Sequence, residues 1–141
     1  MYTKILMLHD NTTNDVITVN TDFLCYAYTN EYGVTSLKLS CLSADENTVL
    51  VKESVAKIYS QVDDKFICLH NSDDNSLAIF SIKDFIYSYY DRTNNIGAVV
   101  MNIDDDYPCF EVNETPHKIC RKIIEKDKKD EETNNDEMKK E

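Results

Sequence analysis

Val51-Lys52-Glu53-Ser54-Val55-Ala56-Lys57-Ile58 returns later in the chain as Val112-Asn113-Glu114-Thr115-Pro116-His117-Lys118-Ile119. In both copies an apolar residue ends a β-prone run, and a glutamate, a hydroxyl residue and apolar residues at helical spacing follow it. Ser54 and Thr115 suit the N-cap position, where a hydroxyl accepts a hydrogen bond from an amide left unpaired by the first turn, worth about 1 kcal/mol. Pro116 falls at the first helical position, where its missing N–H costs nothing. The pair predicts two corners where sheet turns into helix. One helix runs from Val55 to about Val62, and the other carries Ile119, Cys120 and Ile123 on its apolar face.

Ahead of the first corner lie β-prone runs at Tyr2 to Leu8, Val16 to Asn20, Thr21 to Tyr28 with a short turn at Asp22, Val34 to Ser40, and Thr48 to Val51. Val34 to Ser40 alternates with the period of two that a half-buried strand requires. Polar clusters at 9–15, 30–33 and 43–47 supply the turns. Beyond the first helix, Phe66 to His70 reads as a strand and Asn71 to Ser76 as an acidic turn. Leu77 to Phe80 then answers Val16 to Val19, and Lys83 to Tyr90 answers Thr21 to Tyr28. Ile96 to Ile103 and Phe110 to Val112 complete the second copy. Matching Asp22 to Asp84 and Glu53 to Glu114 leaves a one-residue slip, placed in the turn at Asp104-Asp105-Asp106, where length changes are best tolerated.

The fold class is therefore α+β, with two β-meander repeats, 16–62 and 77–123, each ending in a short amphipathic helix within a single domain, 1–124. From Glu125 the chain holds eight acids and five lysines, with Met138 its one apolar residue. That composition buries almost nothing, so 125–141 is expected to be a frayed helical extension passing into a disordered charged tail.

Composition excludes several classes of function. The 141 residues are 42% hydrophobic, enough for a core without staples. Gly33 and Gly97 are the two glycines, too few for phosphate-cradling loops or dinucleotide folds. A formal charge of −11 opposes a phosphate-tracking surface, so nucleic acid is an unlikely partner on this reading. Cys25, Cys41, Cys68, Cys109 and Cys120 are odd in number and lack CxxC spacing, which points to free thiols in a reducing compartment. The apolar run at the N-terminus is too short for a leader or a membrane span. A cytoplasmic protein is expected, in a host cytoplasm if a phage encodes it.

The stretch from Val49 to Ile58, a strand running into Val-Lys-Glu-Ser and a short helix, resembles the small FlbD-type proteins of flagellar operons and related phage proteins. More loosely, Val16 to Ile123 resembles a LytTR domain, a β-rich family that binds DNA. Phe66, His70 and Ser72 occupy the positions of that family's Phe-x-x-x-His-x-Ser motif. Where the family carries an arginine between His and Ser this chain has Asn71, acids follow at Asp73 and Asp74, and Asn113-Glu114-Thr115 replaces the late basic segment. The resemblance implies the fold class, and these departures argue against carrying DNA binding with it.

Chemistry offers few candidates. Cys68-x-His70 and His117-x-x-Cys120 supply zinc-type ligands, but at poor spacing and within apolar patterns where cysteine serves as a small hydrophobe. Asp104-Asp105-Asp106 clusters carboxylates as hard cations prefer, without the spacing or glycine of an EF-hand. No Gly-x-Ser-x-Gly elbow is present. No catalytic residue, metal site or cofactor is assigned, and the chain is read as a non-enzyme.

The tyrosines stand out. Tyr26, Tyr28 and Tyr32 in the first copy, and Tyr87, Tyr89 and Tyr90 in the second, favour strands; an apolar ring with a polar tip also suits an interface. Together with Asp104, Asp105 and Asp106 they are the candidate partner-binding residues. The leading expectation is a non-catalytic acidic interaction protein of a phage or mobile element that binds a host or defence protein with a basic surface, in one version as a nucleic-acid mimic. The alternatives are a LytTR-like DNA-binding regulator and a structural subunit of a virion or flagellum, and a homo-oligomer stays open.

Overall fold

The computed structural model describes residues 4–40, 48–62 and 64–139, with side chains described up to residue 128. In chain order the elements are β1 (Ile5–His9), β2 (Val16–Asn20), a 3-10 turn at Thr21–Phe23, β3 (Leu24–Thr29), β4 (Thr35–Leu39), β5 (Thr48–Val51) and α1 (Val55–Val62). The second half follows with β6 (Phe66–His70), β7 (Leu77–Ser81), a 3-10 turn at Ile82–Asp84, β8 (Phe85–Asp91), β9 (Ile96–Met101), β10 (Cys109–Val112) and α2 (Pro116–Lys139). The expected turn at 43–47, Tyr2, Cys41 and Asp63 lie outside the described residues. The chain is α+β, with three sheets and two helices.

Turn chemistry sets the strand boundaries. Asp10 Oδ1 accepts from the amides of Thr12 (2.8 Å) and Thr13 (3.0 Å), which closes the β1–β2 turn. Asn71 Oδ1 accepts from the Asp73 amide at 2.9 Å in the β6–β7 turn. Each turn ends on an asparagine with positive φ, Asn14 at 63° and Asn75 at 62°, a conformation that asparagine tolerates better than most residues. Asp104 and Asp105 also have positive φ and turn the chain between Ile103 and Asp106, which bridge to each other.

All strand pairings are antiparallel. The sheets run β1-β2, β5-β4-β3-β7-β6 and β10-β9-β8. Single bridges, Asp10 to Val51 and Asn71 to Val112, connect β1 with β5 and β6 with β10. The strands thus form one ribbon in the order 2-1-5-4-3-7-6-10-9-8, and β3 against β7 is the seam between the two halves of the chain.

Elements of the second half begin at a constant distance after those of the first: β6 follows β1 (66 − 5), β7 follows β2 (77 − 16), β9 follows β4 (96 − 35) and α2 follows α1 (116 − 55) by 61 residues each. The slip placed at Asp104-Asp105-Asp106 is therefore corrected. The two 3-10 turns superpose at the same spacing, so Asp22 corresponds to Lys83; Asp84 is a second aspartate of the same turn, one position later.

Alternating apolar residues fill two core clusters, and each draws on both halves. One joins Leu6, Leu8, Val19, Leu24 and Leu37 to Val55, Ile58 and Val62 of α1 and to Phe66 and Ile79 of the second half. The other joins Ile67, Leu69, Phe80, Val99, Met101 and Ile119 to Cys25 of the first. At about 25 cal/mol per Å2 of apolar surface, such burial is the main stabilising term. Among the described residues no helix is long and apolar enough to cross a membrane.

The expected disordered tail is also corrected, because α2 continues as one helix to Lys139. A docked and capped first turn supplies the costly nucleus, after which each further residue adds a hydrogen bond at little cost. Opposite charges four apart, such as Arg121 and Glu125, favour the extension.

Candidate functional site

Two carboxylates fasten the corners quoted at the outset. Glu53 Oε1 accepts from the His9 amide at 2.8 Å, while its Oε2 lies 2.7 Å from His9 Nδ1. Glu114 does the same with His70, at 2.9 Å and 2.6 Å. Both glutamates are buried. Each holds the end of a first strand against the strand-to-helix corner, next to backbone bonds from the Lys52 amide to the His9 carbonyl and from the Asn113 amide to the His70 carbonyl. Burial pulls the Glu53 carboxyl upward, but bonds from the His9 ring and amide and from its own amide outweigh that and hold it below the usual range. Ser54 Oγ accepts from the Lys57 amide at 3.2 Å and Thr115 Oγ1 from the Lys118 amide at 3.4 Å, so both hydroxyls cap as the sequence indicates. His70 is thereby engaged with Glu114, and among the described residues no three His, Cys, Asp or Glu side chains cluster to hold a metal ion.

The candidate tyrosines separate into three environments. Tyr26 and Tyr28 are half-buried on β3, where Tyr26 sits edge-on to Phe110 with centroids 4.6 Å apart and Phe80 stands 5.2 Å from Phe110. Burial, with Tyr28 close by, pushes the Tyr26 phenol up to about 12. These rings floor a cleft of about 500 Å3 between β3 and β10, rimmed by Ser72, Asp73 and Glu111. Tyr32 lies exposed in the β3–β4 turn, remote in role from the cleft. Tyr87, Tyr89 and Tyr90 are exposed on β8, an edge strand, where Tyr87 and Tyr89 stack with centroids 6.0 Å apart. Asp104, Asp105 and Asp106 form the tight turn between β9 and β10. The tyrosines and aspartates are thus spread over separate parts of the ribbon.

A feature that sequence reasoning passed over is the charge of the first turns of α2. Lys118, Arg121, Lys122, Lys126 and Lys128 stand there against Glu125 and Asp127. Lys118, Arg121 and Lys128 are exposed, and helical spacing places them on the side away from Ile119 and Ile123. Lys126 covers the Tyr59 ring at 5.2 Å and donates to its hydroxyl at 3.1 Å, which anchors α2 over α1. The signal was present in the sequence, but Lys126 and Lys128 were assigned to the tail.

No family model matches the chain, and no curated protein matches it. Among solved structures, the fold is similar to that of a LytTr DNA-binding domain from Bacillus cereus, with a TM-score of 0.57 at 20% identity over 86% of this chain and 97% of that one. The expected LytTR-like fold is present, whereas phage origin and a host-protein target gain no support. The expectation that nucleic acid is an unlikely partner is corrected: net charge averages over the surface, and this chain shares its fold with a domain that binds DNA.

Proposed function

We propose that the chain is a LytTR-like module that contacts double-stranded DNA through the exposed basic side of α2. The observation that supports this reading is the coincidence of two features. The fold is similar to that of a DNA-binding domain over 86% of the chain, and an otherwise acidic protein concentrates Lys118, Arg121, Lys122 and Lys128 on one helix. Phosphate contacts need local rather than net positive charge, because affinity comes from the counterions displaced where Lys and Arg meet the backbone. Five cations limit the footprint, and the surrounding acids make the contact weak and salt-sensitive. The constant spacing of 61 residues between elements supports a second statement about origin: the chain is a tandem duplication of one five-stranded unit with a closing helix.

Fluorescence anisotropy with a labelled DNA duplex tests the binding across a salt series. Binding at low salt is expected, with a log–log slope no steeper than about −4.5, from about 0.9 for each of up to five phosphates. Lys118→Glu combined with Arg121→Glu should abolish it while circular dichroism stays unchanged. No binding of the wild type at low salt overturns the reading.

A further inference from the structure

The ribbon ends on two strands, β2 and β8, that have a neighbour on one side only among the described strands. Within the chain, their counterparts 61 residues away are joined to each other: β3 corresponds to β8 and β7 to β2, and β3 pairs with β7 through Tyr26↔Phe80, Ala27↔Ile79 and Tyr28↔Ala78. The free edges are therefore the two sides of a seam that the molecule already makes once. Were the halves related by a twofold axis, β8 would pair with β2 inside the same chain, and it does not. The relation is open, so the same contact is left for another molecule.

Exposure follows the same logic. Ile86 on the free edge is 45% exposed, while its counterpart Cys25 at the seam is fully buried. On the first hairpin, Ile5 is 50%, Met7 67% and Val16 57% exposed. Their counterparts Phe66, Cys68 and Leu77 belong to or pack on the core beneath α1. That helix lies on β6 and β7 as well as on β3. The α2 helix has no such hairpin to cover: Ile123 is half-buried where its counterpart Val62 is fully buried. Free strand edges usually carry lysine, proline or a disrupting bulge. Neither Phe85–Asp91 nor Val16–Asn20 contains lysine or proline. The register shift between Phe85 and Tyr87 also occurs at Leu24/Tyr26 of the seam strand, where pairing proceeds regardless.

We infer that a second copy of this chain docks head to tail, its β2 pairing antiparallel with β8 and its β1–β2 face seated under α2, so that the ribbon continues from molecule to molecule. The register carried over from the seam sets Tyr87 against the second copy's Val19, Ser88 against its Thr18 and Tyr89 against its Ile17. This inference rests on the correspondence of the two halves and not on DNA binding. A failed duplex titration leaves it standing.

Sedimentation equilibrium over a concentration series at about 0.15 M salt, where the Debye length is about 8 Å, tests it with two variants. Tyr87→Lys/Tyr89→Lys disables the β8 edge, and Val16→Lys/Thr18→Lys disables the β2 edge. Both pairs replace exposed residues and lower the net negative charge, so a loss of association cannot come from general repulsion. The wild type is expected to grow past a dimer with concentration, each variant alone to stay monomeric with an unchanged circular dichroism spectrum, and their mixture to form a 1:1 pair that grows no further. A wild type that stays monomeric throughout overturns the inference and leaves the edges to a strand of another protein. A discrete dimer that the mixture of variants fails to restore overturns it as well, since that is the signature of a symmetric contact.

Discussion

His9 Nδ1 lies 2.7 Å from Glu53 Oε2, and His70 Nδ1 lies 2.6 Å from Glu114 Oε2. In each pair 44 residues separate the partners, so each closes a long loop that begins on the first strand of its half and ends at the helix corner. Removing the carboxylate strands a backbone donor as well as a ring. Glu53→Ala and Glu114→Ala are each expected to cost about 1–3 kcal/mol, the range for leaving a buried group unsatisfied. His9→Ala should cost less, about 0.5–1.5 kcal/mol, because the amide-to-carboxylate bond survives. Urea denaturation of the three variants checks the order.

The depressed Glu53 carboxyl ties stability to pH. A group whose pKa is lower in the folded than in the unfolded chain stabilises the fold fully above the unfolded value, 4.5 for glutamate, and loses that contribution as pH falls through the folded value. Asp10, held low by the Thr13 and Thr12 amides, and Asp74, held low by Ser76, act in the same direction below 3.8. The melting temperature should therefore fall as pH is lowered from about 5 to 3, and Glu53→Gln should flatten the upper part of that fall. An unchanged profile in the variant would contradict the assignment.

Gly97 on β9 tests how tightly the second corner is packed. A Cβ placed there collides with the Glu114 carbonyl oxygen, so Gly97→Ala has to displace the backbone that presents Glu114 to His70. A cost of about 1–3 kcal/mol is expected, as for other overpacked sites. At the corresponding place in the first half stands Ser36, so the topology itself does not demand glycine; the closer approach at the second corner does. A thermal melt of the variant decides the point, and stability within about 0.5 kcal/mol of wild type would mean that the corner relaxes freely.

The corners were legible because their signals are local. A hydroxyl cap, a proline at the first helical position and apolar residues at helical spacing act over a few residues, and Ser54, Thr115 and Pro116 behave as their chemistry dictates. Strand positions followed from alternation for the same reason. What the sequence did not show depends on pairing across distance. Glu53 and Glu114 looked like neighbours of the caps, since nothing local marks His9 or His70 as their partners. The tyrosines looked like one surface, yet β3 lies at the seam and β8 at the edge, which buries Tyr26 and exposes Tyr87. Net charge misled about partners because a sum over the chain hides the basic side of α2.

Ile79 shows why the two halves should unfold together. It belongs to β7 in the second half but packs in the core that α1 covers, with Leu24 and Ile58, while Cys25 of the first half is buried in the other core. Neither cluster is complete without residues from across the seam, so an isolated half would expose part of its own core. A single calorimetric transition is expected, its van't Hoff and calorimetric enthalpies equal. Ile79→Ala should cost about 2–5 kcal/mol, as large-to-small core changes do, and should lower the one transition without splitting it. The far-ultraviolet signal and the tyrosine near-ultraviolet signal, which reports chiefly on the seam and β8, should shift by the same amount. Two separated transitions in the variant would show that the β3–β7 seam joins units that fold independently, and would remove the physical reason for treating the ribbon as continuous.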